Sequence, residues 1–188
     1  MIDRKTNPGF VEGERRLSML APKNCPSTPE FEALPANLVQ AVARPVMVRL
    51  CLDAVQTLNR RDARLHRSRA EELSPQMMLT LLSYCYATGT YGSLDVIWAT
   101  ENDPMVRYIC GRAQPGWSAI RRFRRHHRDL LQLCLTHVFK QLWALKFDRG
   151  EADYLGYGWF ESELSGQIDR EVQDRIDIAV AMDSAEAD

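Results

Sequence analysis

A chain of 188 residues with 45 % hydrophobic and 26 % charged side chains is long enough to bury a core that needs no covalent staples. Its five cysteines, Cys25, Cys51, Cys85, Cys110 and Cys134, are odd in number, far apart and form no CxxC pair, which argues against a disulfide framework or a zinc ribbon and points to a reducing cytoplasm. The formal net charge of −1 hides a polarity, since fourteen arginines oppose seven acids from Arg44 to Arg128 while twelve acids oppose three arginines from Asp148 to Asp188; the pattern suits a basic surface that meets a polyanion and an acidic tail that solvates, recruits or self-inhibits.

The opening "MIDRKTNPGF" lacks the apolar core of a signal peptide, and no apolar run approaches the roughly 18 residues that span a bilayer. The expectation is a soluble cytoplasmic chain with no membrane partner. Residues 1–34 hold Pro8, Gly9, Gly13, Pro22, Pro26 and Pro29 without helical or strand periodicity, and are expected to form an irregular arm. A helical domain is expected over residues 35–147. Its first helix is expected near Pro35 to Asn37, resuming after Pro45 with Leu50, Ala54, Val55 and Leu58 on one apolar face. "RRDARLHRSRAEE" beyond it reads as a charged connector or frayed end.

Ser74 before Pro75 marks a helix start, because the hydroxyl accepts free amides of the first turn and proline has no donor to lose there. Met78, Leu81, Leu82 and Cys85 follow at helical spacing, and Gly89 is placed to close the helix in a left-handed turn. A second helix is expected from Ser93, with Leu94, Ile97 and Trp98 as its buried side. Asp103 and Pro104 cap a short third helix, "PMVRYIC", which Gly111 stops. Ser118 is expected to cap a long fourth helix, because Ile120, Phe123, His127, Leu130, Leu131, Cys134, Val138 and Leu142 recur at three-and-four spacing. Arg121, Arg124, Arg125 and Arg128 are then expected outside, flanked by Arg122. Apart from "DIAVAM" near the end, nothing reads as an alternating strand. The expected fold is all-α: a small bundle with a helix-turn-helix-like unit and one long core helix, flanked by the arm and an acidic tail helix.

The stretch "GWSAIRRFRRHHRDL", Gly116 to Leu130, holds five arginines and two histidines. A short helix, a turn and an arginine-rich second helix suit a DNA-binding unit whose second helix enters the major groove. Arginine there bridges guanine O6 and N7 or neutralises phosphates. Trp117 and Ser118, at the helix start, add amide donors for phosphate. The plain alternative is a solvated charged face, which the absence of acids from Pro104 to Arg128 disfavours.

The segment from Leu73 to Leu131, "LSPQMMLTLLSYCYATGTYGSLDVIWATENDPMVRYICGRAQPGWSAIRRFRRHHRDLL", resembles the N-terminal helical domain of bacterial insertion-sequence transposases of the DDE type. The resemblance runs through Ser74, Pro75, Leu79, Leu82, Tyr84, Tyr86, Gly89, Ser93, Asp103, Arg107, Gly111, Pro115, Ile120, Phe123 and Arg124. It departs where the family's usual aspartate before the helix cap gives way to Gly116 and Trp117. The resemblance implies recognition of double-stranded DNA through Trp117, Ser118, Arg121, Arg122, Arg124, Arg125 and Arg128. In such transposases a catalytic core with three metal-binding acids follows. Here "IDIAVAMDS" offers only Asp183 in the place of the first, so a non-catalytic regulator or repurposed remnant without a cofactor is expected.

His127, Cys134 and His137 lie at seven-and-three spacing that brings only part of the set to one face, so core packing is expected there and no metal. Residues 148–188 form a third expected segment, an aromatic cluster of Tyr154, Tyr157, Trp159 and Phe160 followed by a helix with Leu164, Ile168, Val172, Ile176 and Val180 on a narrow stripe. Three readings stay open for the stripe: packing on the main domain, pairing with its twin in a dimer, or binding another protein. In the last, the chain is an assembly factor whose partner meets Tyr157, Trp159, Phe160, Ile168, Val172 and Ile176. A further reading has the tail hold its acidic face over the basic helix until DNA or a partner displaces it.

Overall fold

Local capping chemistry sets where two of the helices, those starting at Pro75 and Pro104, begin. The computed structural model describes residues 43–62, 65, 73–111, 113–147 and 157–185, with the side chains at 146–147 and 157–162 excepted. Within them run seven α-helices: α1 (Arg44–Asn59), α2 (Pro75–Ala87), α3 (Ser93–Asn102), α4 (Pro104–Cys110), α5 (Trp117–His126), α6 (Arg128–Phe147) and α7 (Tyr157–Ala185). No strand occurs among the described residues, and "DIAVAM" is helical. The expected arm, residues 1–34, and the expected helix start at Pro35 to Asn37 lie outside the described residues.

The Ser74 hydroxyl accepts the Met77 amide at 3.2 Å, and Pro75 occupies the first turn of α2. Asp103 does the same for α4, with one carboxylate oxygen 2.8 Å from the Met105 amide and 3.4 Å from that of Val106. Each such cap contributes about 1 kcal/mol. Gly89 and Gly111 both take positive φ, 87° and 61°, which only glycine adopts without strain. Two expected caps lie one or two residues off. Gly92 and Gly116 are the N-cap residues of α3 and α5, so Ser93 and Ser118 fall inside the helices.

From Met78 to Ala87 every residue of α2 is buried, as befits a helix surrounded by others. α1 and α6 pack on it and on each other, α4 and α7 cover further sides, and α7 also lies along α6. Met47, Cys51 and Ala54 from α1, Leu81 and Leu82 from α2, Leu131, Leu135 and Val138 from α6, and Ile168, Val172 and Ile176 from α7 form one continuous core. Each large aliphatic side chain taken wholly out of water contributes about 1.5–3 kcal/mol.

Two expectations about helix faces change. In α3 the buried side is Ser93, Val96, Ala99 and Thr100, while Leu94 and Trp98 stay exposed, the latter at 67 %. α4, α5 and α7 pack on α3, and tertiary packing rather than sequence period selects the face that is buried. The long fourth helix is also two helices. His127 ends α5 with φ −127° and ψ 31°, its amide held by the Phe123 carbonyl at 2.9 Å while its own carbonyl accepts the Leu131 amide at 3.0 Å. Arg124, Arg125 and His126 occupy the last turn of α5, and Asp129 the first turn of α6. Cations at a C-terminus and an acid at an N-terminus both suit the helix dipole, so the charge order itself favours a break there.

Candidate nucleic-acid interface

The α5 helix carries the residues expected to meet DNA, and its phase sorts them. Ile120, Phe123 and Arg124 are buried; Trp117, Ser118, Arg122, Arg125 and His126 are exposed; Arg121 lies between. Arg128, in the first turn of α6, is also half-exposed. At 3.6 residues per turn, position 124 falls on the stripe begun by Ile120 and Phe123. The expectation of an outward Arg124 is thus corrected.

A guanidinium that is only 2 % exposed is stable only if its donors are used. Arg124 Nη1 donates to the Asp183 carboxylate at 2.5 Å and to the Ala179 carbonyl at 2.6 Å, and Nη2 donates to the Tyr91 carbonyl at 3.0 Å. Its guanidinium carbon stands 5.4 Å from the centre of the Tyr86 ring, a cation–π distance. Three helices and a turn therefore meet at one side chain.

Arg121 donates to the Asp183 backbone carbonyl, places Nε 3.5 Å from the same carboxylate, and lies over the Trp117 ring at 5.0 Å. Arg128 pairs with Asp177. Hydrogen bonding by the Gln173 amide, then by Arg128, holds the Asp177 carboxyl below its usual range. Arg125 is exposed and has no ion-pair partner among the described residues. Arg121, Arg124 and Arg128 are thus all engaged by the tail helix.

Asp183 works at both oxygens. Oδ2 takes Arg124, while Oδ1 accepts the Ser93 amide at 3.0 Å, supplying the cap that Gly92 cannot. Arg175, likewise only 2 % exposed, reaches the opposite helix end: Nη1 donates to the Tyr86 and Ala87 carbonyls at 2.6 and 3.2 Å, and Nε to Glu171 at 2.7 Å. So α7 presents a cation to the C-terminus of α2 and an anion to the N-terminus of α3, both favourable to the dipoles. Neither residue was singled out by sequence for this, yet Val172, Arg175, Ile176, Ala179 and Asp183 follow one helical stripe.

Ile168, Val172 and Ile176 are fully buried in the chain's own core. Of the three readings of the stripe the structure gives packing on the main domain, so these side chains do not face a twin or another protein. The helix begins at Tyr157, but the side chains of Tyr157, Trp159 and Phe160 lie outside the described residues. An open cleft of about 430 Å³ separates Trp117, Arg121 and Arg125 from Val180 and Ser184.

His127 stacks on Phe123 with ring centres 4.5 Å apart, and His137 meets the Gln141 amide; no metal-binding group of His, Cys, Asp and Glu forms among the described residues. No helix among them is long and apolar enough to cross a membrane. No protein-family model, curated protein or solved structure matches the chain.

Proposed function

We propose that the chain is a non-catalytic DNA-binding module, akin to a transposase N-terminal domain, that meets duplex DNA with the outward side of α5. The observation that carries this reading is the exposed pair Arg122 and Arg125, one turn apart in register with Trp117 and Ser118, on a helix with no acid. Arginine forks suit phosphate and guanine edges alike. In chain order α5 follows the short α4, as the second helix of a helix-turn-helix unit follows the first, while its own packing is against α2, α3 and α6.

Fluorescence anisotropy of the protein against a pool of labelled duplexes tests it. Each phosphate neutralised adds about 0.9 to the slope of log affinity against log salt, so binding is expected to weaken steeply between about 50 and 200 mM salt. Arg122→Ala with Arg125→Ala is expected to lower affinity at least about tenfold, with two phosphates or bases lost, and to leave the fold unchanged. Equal retention by this variant overturns the assignment of α5.

A second reading, a protein-interaction module, has an observation of its own. Leu94, Trp98 and Tyr108 expose large apolar surfaces on α3 and α4, at 54, 67 and 71 %. A partner held there binds almost independently of salt, which separates it from DNA.

A further inference from the structure

We propose that the last two and a half turns of α7, Asp177 to Ala185, act as an internal stand-in for the DNA backbone: their carboxylates occupy the arginines of α5 and α6, and phosphates displace them. The inference rests on the DNA-binding reading and assigns the regulation of that same face.

The contacts carry the chemistry. Asp177 pairs with Arg128, and Asp183 with Arg124 and Arg121. A phosphodiester offers the guanidinium the same charge and the same paired oxygen acceptors as a carboxylate. The exchange therefore replaces one anion by another and leaves no arginine unpaired, which is the costly alternative for a buried cation.

The construction of α7 divides anchor from plug. Leu164 packs partly and Ile168, Val172 and Ile176 wholly into the core. Among the described residues beyond Ile176 the only buried apolar one is Ala179, while Ile178 and Val180 remain 43 and 39 % exposed. Those turns are held by ion pairs and by hydrogen bonds to Arg121, Arg124 and the Ser93 amide. They can unwind while the apolar anchor stays in place. The cleft between Trp117, Arg121 and Arg125 and the Val180–Ser184 side opens beside this contact, so a phosphate on Arg125 lies next to the arginine that Asp183 holds.

The test follows the full-length protein by two routes. Asp177→Asn removes an exposed pairing without emptying a buried site, and is expected to tighten duplex binding about three- to tenfold at 50 mM salt, because phosphate no longer has to displace a carboxylate from Arg128, with the salt slope little changed. Asp183→Asn is expected to tighten it further wherever circular dichroism and the unfolding midpoint show the bundle intact. Hydrogen exchange of the unmodified protein supplies the second route: added duplex is expected to speed exchange at residues 178–185 and at the Ser93 amide, while residues 168–176 stay protected. Unchanged affinity in Asp177→Asn, with wild-type binding present and no exchange increase at residues 178–185, overturns the plug and leaves the DNA reading standing. Failure of wild type and variants alike to bind at 50 mM salt overturns both.

Discussion

Arg124 and Asp183 show how one pair of charges holds distant parts of the chain. The carboxylate reaches from α7 to Arg124 on α5 and to the Ser93 amide on α3. Removing one member of a buried pair strands the other, so Arg124→Met is expected to cost about 3–5 kcal/mol, measured by denaturant unfolding. Arg124→Lys is expected to recover little of this, because an ammonium cannot reach the Tyr91 and Ala179 carbonyls and the carboxylate at once. Asp177 differs in being exposed. Its carboxyl is held below the ordinary value of 3.8, so the stability it adds is present above that value and is lost as pH falls through the lower folded-state value. The Asp177→Asn variant is expected to lose less stability than wild type between pH 5 and about pH 2 in acid titrations followed by circular dichroism. The inward turn of Arg124 was written in its spacing from Ile120 and Phe123; a reading by residue type alone puts every arginine outside. What no spacing could supply is the partner, because Asp183 lies 59 residues away.

At the scale of elements, legibility followed locality. The starts of α2 and α4 were readable because Ser74 and Asp103 cap amides two or three residues ahead. The face of α3 was not, because tertiary neighbours choose it, leaving Trp98 in water. The break between α5 and α6 left a trace in charge order at Arg125 to Asp129, overshadowed by an apolar period that continues through it. For α7 the stripe was legible and its destination was not, since the same pattern serves a dimer or a core. Ile176→Ala is expected to cost about 2–5 kcal/mol, as for other fully buried aliphatic truncations. Ile178→Ala, two residues on and facing solvent, is expected to change stability by less than about 0.5 kcal/mol. Thermal or urea unfolding of the two variants compares them directly, and similar losses would contradict the assigned phase of α7.

Across the whole molecule, the charge polarity of the chain becomes contact: basic α5 and the start of α6 lie under the acidic end of α7. The polarity was visible in sequence, but its closure on itself needed the docking of helices separated by the residues between α6 and α7. The core also hides thiol chemistry. Cys51, Cys85, Cys110 and Cys134 are buried and free. Burial pushes the Cys110 and Cys134 thiols up to about 11 and about 12, and raises those of Cys51 and Cys85 as well. A thiol reagent acts on the thiolate, so in a Cys25→Ser variant the four remaining cysteines are expected to react at pH 8 only as fast as the bundle opens. Prompt labelling of the native variant would contradict the packing of α1, α2, α4 and α6.

The neighbours Arg124 and Arg125, one buried and one in water, make α5 sensitive to reading phase rather than to composition. One residue added after Ile120 would turn everything beyond it by about 100°. Arg122 would arrive in the slot of Phe123, Phe123 in the slot facing Asp183, and Arg124 would look outward. No charge would be lost and no hydrophobic residue removed, yet a cation would meet the core without a carboxylate and the carboxylate would meet a ring. Homologous chains are therefore expected to vary freely in which outward basic residue they carry on this helix and to keep its length between Ile120 and His127 unchanged.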